Sequence, residues 1–172
     1  MSGKCNVAEA ENQFQKQNLA ESSSLETVQG KVRKGMKTPA ACTYGDVRAT
    51  KLSFDEAVAK VEEALKTEGF GVLCLIDIRA KLKEKLGVDF PRYVILGACN
   101  PPLARQAHEQ DVNLGHLLPC NVIVYEHDSQ VLVGAVDAAR MLSVTDHREM
   151  AGLASQVNER LGRALDIIAP RA

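Results

Sequence analysis

The chain has 172 residues, 45% hydrophobic and 25% charged, proportions that fit one soluble globular domain with a tail and exclude a wholly disordered chain or a membrane protein. Residues 1 to 42 carry a net charge of +2 and residues 43 to 172 a net charge of −3. An acidic domain argues against nucleic acid as a partner, because phosphate binding needs a concentrated basic excess.

The first 42 residues are rich in Glu, Gln, Asn, Ser and Lys, with isolated apolar positions such as Phe14, Leu19, Leu25 and Val28. Such a segment cannot bury enough apolar surface to offset its ordering entropy, so a disordered or loosely ordered leader is expected over 1–42 and a folded domain over 43–172. No continuous apolar stretch of the signal-peptide kind opens the chain, and no run approaches the roughly 18 apolar residues of a membrane span. The five cysteines are widely spaced, without a Cys-x-x-Cys pair, which fits neither a disulfide framework nor a zinc ribbon. The expectation is a cytoplasmic protein with reduced thiols, no membrane attachment and no nucleic-acid partner.

A weak strand is predicted near Asp46 to Leu52. Phe54, Ala57, Val58, Val61, Ala64 and Leu65 then repeat at the spacing of one helical face, with Ser53 and Glu56 placed as a capping box and Gly69 just past the end. Gly71 to Ile78 is an apolar run of strand length, with Cys74 in its middle read as core. Arg79 to Leu86 reads as a short charged helix closed by Gly87. Within it, Arg79 and Lys83, and Lys81 and Lys85, are neighbours four apart, so the charge divides over two directions and describes a solvated face. Tyr93 to Cys99 is a further apolar strand, and Asn100-Pro101 caps a short helix reaching about Gln110.

Cys120 to Glu126 and Val131 to Asp137 predict an antiparallel pair around the loop His127-Asp-Ser-Gln130. The last segment opens with Asp146 and Glu149 as a capping signature and carries Met150, Leu153, Val157, Leu161, Leu165 and Ile168 on one face. His127 and His147 are expected at the surface. The order is β-α-β-β-β-β-α with short helices in the connections, which predicts a two-layer α+β fold: a mainly antiparallel sheet with two amphipathic helices on one face. Several strands are apolar at almost every position, so a second subunit is expected on the other face.

Six blocks now stand in order: Ser53-Phe-Asp-Glu-Ala-Val58, Glu68-Gly-Phe-Gly-Val72, Leu82-Lys-Glu-Lys-Leu-Gly87, Tyr93-Val-Ile-Leu-Gly-Ala-Cys-Asn-Pro101, Leu117-Leu-Pro-Cys-Asn-Val122 and Val124-Tyr-Glu126. They resemble the signature blocks of domain-of-unknown-function family 302. The resemblance runs from about Tyr44 to Ile168. It implies an α+β fold of the TATA-binding-protein-like group, usually a homodimer, with no settled activity and no implication of DNA binding. Two departures stand out: residues 1 to 42 have no counterpart in short members, and Asp137-Ala138 replaces the usual Asp-Pro.

Candidate chemistry centres on Cys99, which ends a strand and precedes a helix start, where the helix dipole favours a thiolate. If its strand pairs antiparallel with the one that starts at Cys120, both thiols fall at one end of the sheet. Asn100, Asn121, His108 and His116 are the polar groups expected nearby. Three readings stand side by side: buried structural thiols with capping asparagines, a thiol redox or sulfur-handling site using Cys99 with Cys120 as partner, and a soft-metal or haem site of Cys99, Cys120 and His108 or His116. No spacing rule identifies a cofactor. Glycine-rich phosphate loops, a Gly-x-Ser-x-Gly elbow and a His-Glu-x-x-His motif are absent, so a small dimeric binding or accessory protein is favoured over an enzyme.

Overall fold

The computed structural model describes residues 42–145 and 147–171. The leader expectation therefore falls outside the described residues except at Cys42, and Asp146 falls outside them too.

Ser53 starts helix α1, Phe54–Thr67, through a complete capping box: its hydroxyl accepts from the Glu56 amide, and the Glu56 carboxylate accepts from the Ser53 amide. Gly69 follows the helix at φ 80°, a left-handed conformation that favours glycine. Around this helix stand strands β1 (Gly45–Thr50), β2 (Gly71–Asp77), β3 (Tyr93–Cys99), β4 (Cys120–His127) and β5 (Gln130–Val136). Helix α2 (Ile78–Leu86) follows β2, α3 (Pro101–Gln110) follows β3, and α4 (Ala138–Leu142) and α5 (Ala151–Ile168) close the chain.

The five strands form one sheet in the order β1-β5-β4-β3-β2, with every pairing antiparallel. Because side chains alternate across a strand, Val94, Leu96 and Ala98 of β3 face the same way as Cys120, Val122 and Val124 of β4. These residues are buried beneath α1 and α5 in a core that also holds Val61, Leu65, Leu161 and Leu165. The fold is thus the expected two-layer α+β arrangement, with an uncovered sheet face that carries Ile76, Tyr93, Ile95, Ile123 and Leu132. Tyr93 and Tyr125 stack on that face with ring centroids 5.3 Å apart.

Several local expectations change. The β4–β5 connection is two residues long: His127 pairs with Gln130, and Asp128 and Ser129 form the turn at φ 47° and 63°. Two positive φ values give the turn a twist that matches its strands, which is how so short a loop closes. Two short elements lay outside the sequence reading, the 3₁₀ turn Val112–His116 and helix α4. The last helix begins at Ala151 after a 3₁₀ turn, Arg148–Met150, and Glu149 faces the His147 ring at 3.0 Å. Glu149 therefore serves that histidine.

Cys74 is a clear correction: it is exposed. Its strand is a sheet edge that meets the core at Val72, and from Leu73 onward an apolar run that reads as buried lies open. Leu73 is 68% exposed, Leu75 47% and Ile76 40%. The following helix α2 buries none of its residues, so β2 and α2 form an apolar and basic wing at one side of the domain.

Candidate functional site

The Cys99/Cys120 end of the sheet is built by β3, β4 and the helices that follow them. Ala98 is the register partner of Cys120, so Cys120 lies on the helix side of the sheet and Cys99, one residue further along β3, lies in the opposite register. The topology does bring the two thiols to one end, as the antiparallel argument required. Both border a small cavity of about 30 Å³ walled by Phe70, Leu103, Leu114 and Met141. That volume holds a water-sized guest, and its walls are apolar.

Asn100 is buried and fully employed. Its Oδ1 accepts from the Leu103 amide at 3.3 Å to cap α3, and its Nδ2 donates to the Glu68 carbonyl at 3.5 Å. These bonds tie the start of α3 to the end of α1 and leave no polar group aimed at the cavity. Asn121 pairs with Gly97 in register and is exposed on the uncovered face, away from the cavity. His108 and His116 are both exposed on the outer side of α3 and the 3₁₀ turn. The expected polar cleft therefore separates into an apolar cavity with two thiols and a histidine surface beyond it. Among the described residues no three His, Cys, Asp or Glu side chains converge as a metal would require, and Cys99, Cys120 and His116 do not form such a set.

Electrostatics at the thiols runs against a ready nucleophile. Burial raises the Cys99 pKa above its ordinary value. Burial, with a smaller contribution from the Cys99 thiol, raises that of Cys120 to about 11. The helix-dipole argument for a Cys99 thiolate is outweighed by desolvation of the charged form.

Gly97, which pairs with Cys74 on one side and Asn121 on the other, has a geometric reason to be glycine. A Cβ there would lie 2.7 Å from the Cys74 sulfur and 2.8 Å from the Pro119 ring. Pro119 follows a cis peptide bond and closes over the strand at this point.

A larger concavity lies at the same end of the sheet, displaced toward the β1 edge. Its volume is about 350 Å³, and Cys42, Thr43, Asp46, Asp137, Asn158 and Arg171 are among its lining. Asp137 caps α4: its Oδ1 accepts from the Ala139 amide at 2.9 Å, the Arg140 amide at 3.1 Å and Asn158 Nδ2 at 2.8 Å. The Ala138 amide donates to Asn158 Oδ1 at 2.7 Å, a bond that proline at this position could not make. Burial opposes ionisation of Asp137, but these donors outweigh it and hold the carboxyl below its usual range. Asp46 sits in an ion-pair group with Arg48, at 2.6 Å, and Arg171, at 3.0 Å. The sequence signal available for this cleft was the replacement of the usual Asp-Pro by Asp137-Ala138.

The architecture and the motif blocks define a class: small α+β domains with a five-stranded antiparallel sheet and helices packed on one face. Within it the family model for domain of unknown function DUF302 matches residues 46–168, and the chain belongs to that family. A crystal structure of an uncharacterized conserved DUF302 protein from Bacillus stearothermophilus is similar at 29% identity, covering 74% of this chain and 99% of that one, with a TM-score of 0.70. No curated protein matches the chain. No helix among the described residues is long and apolar enough to cross a membrane.

Proposed function

We propose that this protein is a small homodimeric binding or accessory protein of the cytoplasm without catalysis of its own. The observation that carries the reading is the β2 wing. Among the described residues β2 is a sheet edge with no further strand beside it, and it exposes Leu73 at 68%, Leu75 at 47% and Ile76 at 40%, which leaves backbone groups and apolar side chains in water. A second copy meets both demands: two β2 edges related by a two-fold axis pair antiparallel, and the same apolar residues meet their equivalents. The family resemblance carries the same implication. In this reading the cavity at the Cys99/Cys120 end is the ligand pocket, and its size and walls restrict the ligand to something small and apolar.

Native mass spectrometry of the full chain tests the assembly. The expected result is a dimer that becomes a folded monomer in Ile76→Lys, with circular dichroism unchanged. A wild-type monomer at micromolar concentration, or an Ile76→Lys dimer of unchanged strength, refutes the proposed interface.

A second reading, a thiol redox or sulfur-handling site using Cys99, draws on one observation: both thiols border the same cavity. The raised thiol pKa values weigh against it.

A further inference from the structure

From the 350 Å³ cleft on the β1/β5 side of the sheet we infer a second binding site, built for a small zwitterion of the free amino-acid class. It is independent of the wing and of the thiol cavity. The cleft is formed where β5 leaves the sheet, β1 enters it, and α5 crosses above.

Its floor has unusual room. Gly162 lies on the face of α5 that lines the cleft, and among the described residues a Cβ built there would meet the Arg171 guanidinium, at 3.8 Å. Gly45 lies beneath, where a Cβ would meet the Ala135 carbonyl oxygen at 2.9 Å. Gly162 and the backbone at Gly45 thus border the cleft together with Leu161 and Leu165. An aliphatic side chain fits such a floor, and the volume suits a molecule of a few to about ten heavy atoms with solvent displaced.

The rim supplies opposite charges at separate places. Asp137 spends Oδ1 on three donors, the Ala139 and Arg140 amides and Asn158. These bonds fix the carboxylate in place while Oδ2 accepts no hydrogen bond from any described residue. It is a preorganised acceptor for an ammonium group. Arg171 is the complementary element: its side chain is 70% exposed, it bonds Asp46 Oδ2 through one nitrogen at 3.0 Å, and its remaining donors are open to a carboxylate. Asp46 offers no second ammonium site, because both of its oxygens already receive Arg48 and one also receives Arg171. One fixed anion, one cation and an apolar floor between them match an ammonium, a carboxylate and an aliphatic side chain on one small molecule.

The test is a titration of the ¹⁵N-labelled full chain with L-valine, isobutylamine and isovalerate, followed through the amides of Gly45, Asp137 and Gly162. Saturable shifts with valine, with each single-charge analogue weaker by about tenfold or more, are expected from the loss of one charged hydrogen bond. Asp137→Asn retains the cap, since asparagine caps helices as well as aspartate does, but it removes the charge and should weaken valine at least as much. Gly162→Leu fills the floor, favours the helix and should abolish the shifts. Equal binding of valine and its two analogues, full valine affinity in Asp137→Asn, or no shift at any of the three amides overturns the inference.

Discussion

Alkylation of the two cavity thiols can be calculated before it is measured. Burial pushes the Cys120 thiol up from 9.0 to about 11, so at neutral pH its thiolate fraction is lower by a factor of about 100. The more basic thiolate is intrinsically the better nucleophile, and a Brønsted coefficient of about 0.45 returns roughly tenfold of that deficit. The net expectation is a second-order rate with iodoacetamide about tenfold below that of the unfolded chain, before any steric restriction by the core. For Cys99 the direction is the same, since burial raises it too. Its labelling rate should keep rising with pH beyond the point at which a free thiol levels off. The assay is timed alkylation followed by peptide mapping, with exposed Cys74 as the internal reference for reagent access. If Cys99 or Cys120 is labelled at neutral pH as fast as in denaturant, desolvation does not control these thiols, and the redox reading becomes the stronger one.

Three further expectations follow from local geometry. Ser129 holds φ 63° in the β4–β5 turn, and Ser129→Gly should stabilise the domain by about 1 kcal/mol in urea denaturation by relieving the left-handed strain. Ala138→Pro restores the usual Asp-Pro but removes the amide that bonds Asn158 Oδ1 at 2.7 Å; the loss of about 1 kcal/mol should vanish or reverse in an Asn158→Ala background, where only the gain from a stiffer unfolded chain remains. His147 places Nδ1 3.0 Å from Glu149 and Nε2 3.3 Å from Asp111, and its pKa is raised, first by Glu149 and also by Asp111. A raised folded pKa gives stability that is fully present below the unfolded value of about 6.5 and is lost as pH rises through the folded one. Thermal melts should therefore fall from about pH 6 to 8 by more in wild type than in His147→Gln, and equal pH slopes would rule the clasp out.

Much of the fold was legible because its signals are local. The capping box of Ser53 and Glu56, the stripe from Phe54 to Leu65 and the Asn100-Pro101 start of α3 each satisfy backbone groups within one turn, so the sequence carries the whole explanation. The same holds for the end of the sheet at which Cys99 and Cys120 meet, which needs only antiparallel pairing of two recognised strands. The environment of that end was not legible. Whether His108 and His116 turn toward the thiols or toward water depends on how α3 packs, and α3 packs through Leu103 and Ala107, which leaves both histidines outside. The 350 Å³ cleft was invisible for a related reason: Gly45, Asp137, Asn158 and Arg171 are distant in sequence and become neighbours only when α5 crosses the sheet.

The β2 wing shows the limit of periodicity most clearly. A run from Gly71 to Ile76 that is apolar on both faces states that both faces are better out of water, at about 25 cal/mol for each Å² of apolar surface. It does not state which atoms remove the water. In β3 and β4 the helices of the same chain cover one face and bury Val94, Leu96, Cys120, Val122 and Val124. In β2 the described helices reach the strand's start, where Val72 packs against the core, but Leu73, Cys74, Leu75 and Ile76 are exposed although their pattern is that of a core strand. The mismatch between a core-like pattern and a solvent-exposed edge is the physical reason for proposing a second copy of the chain as its cover.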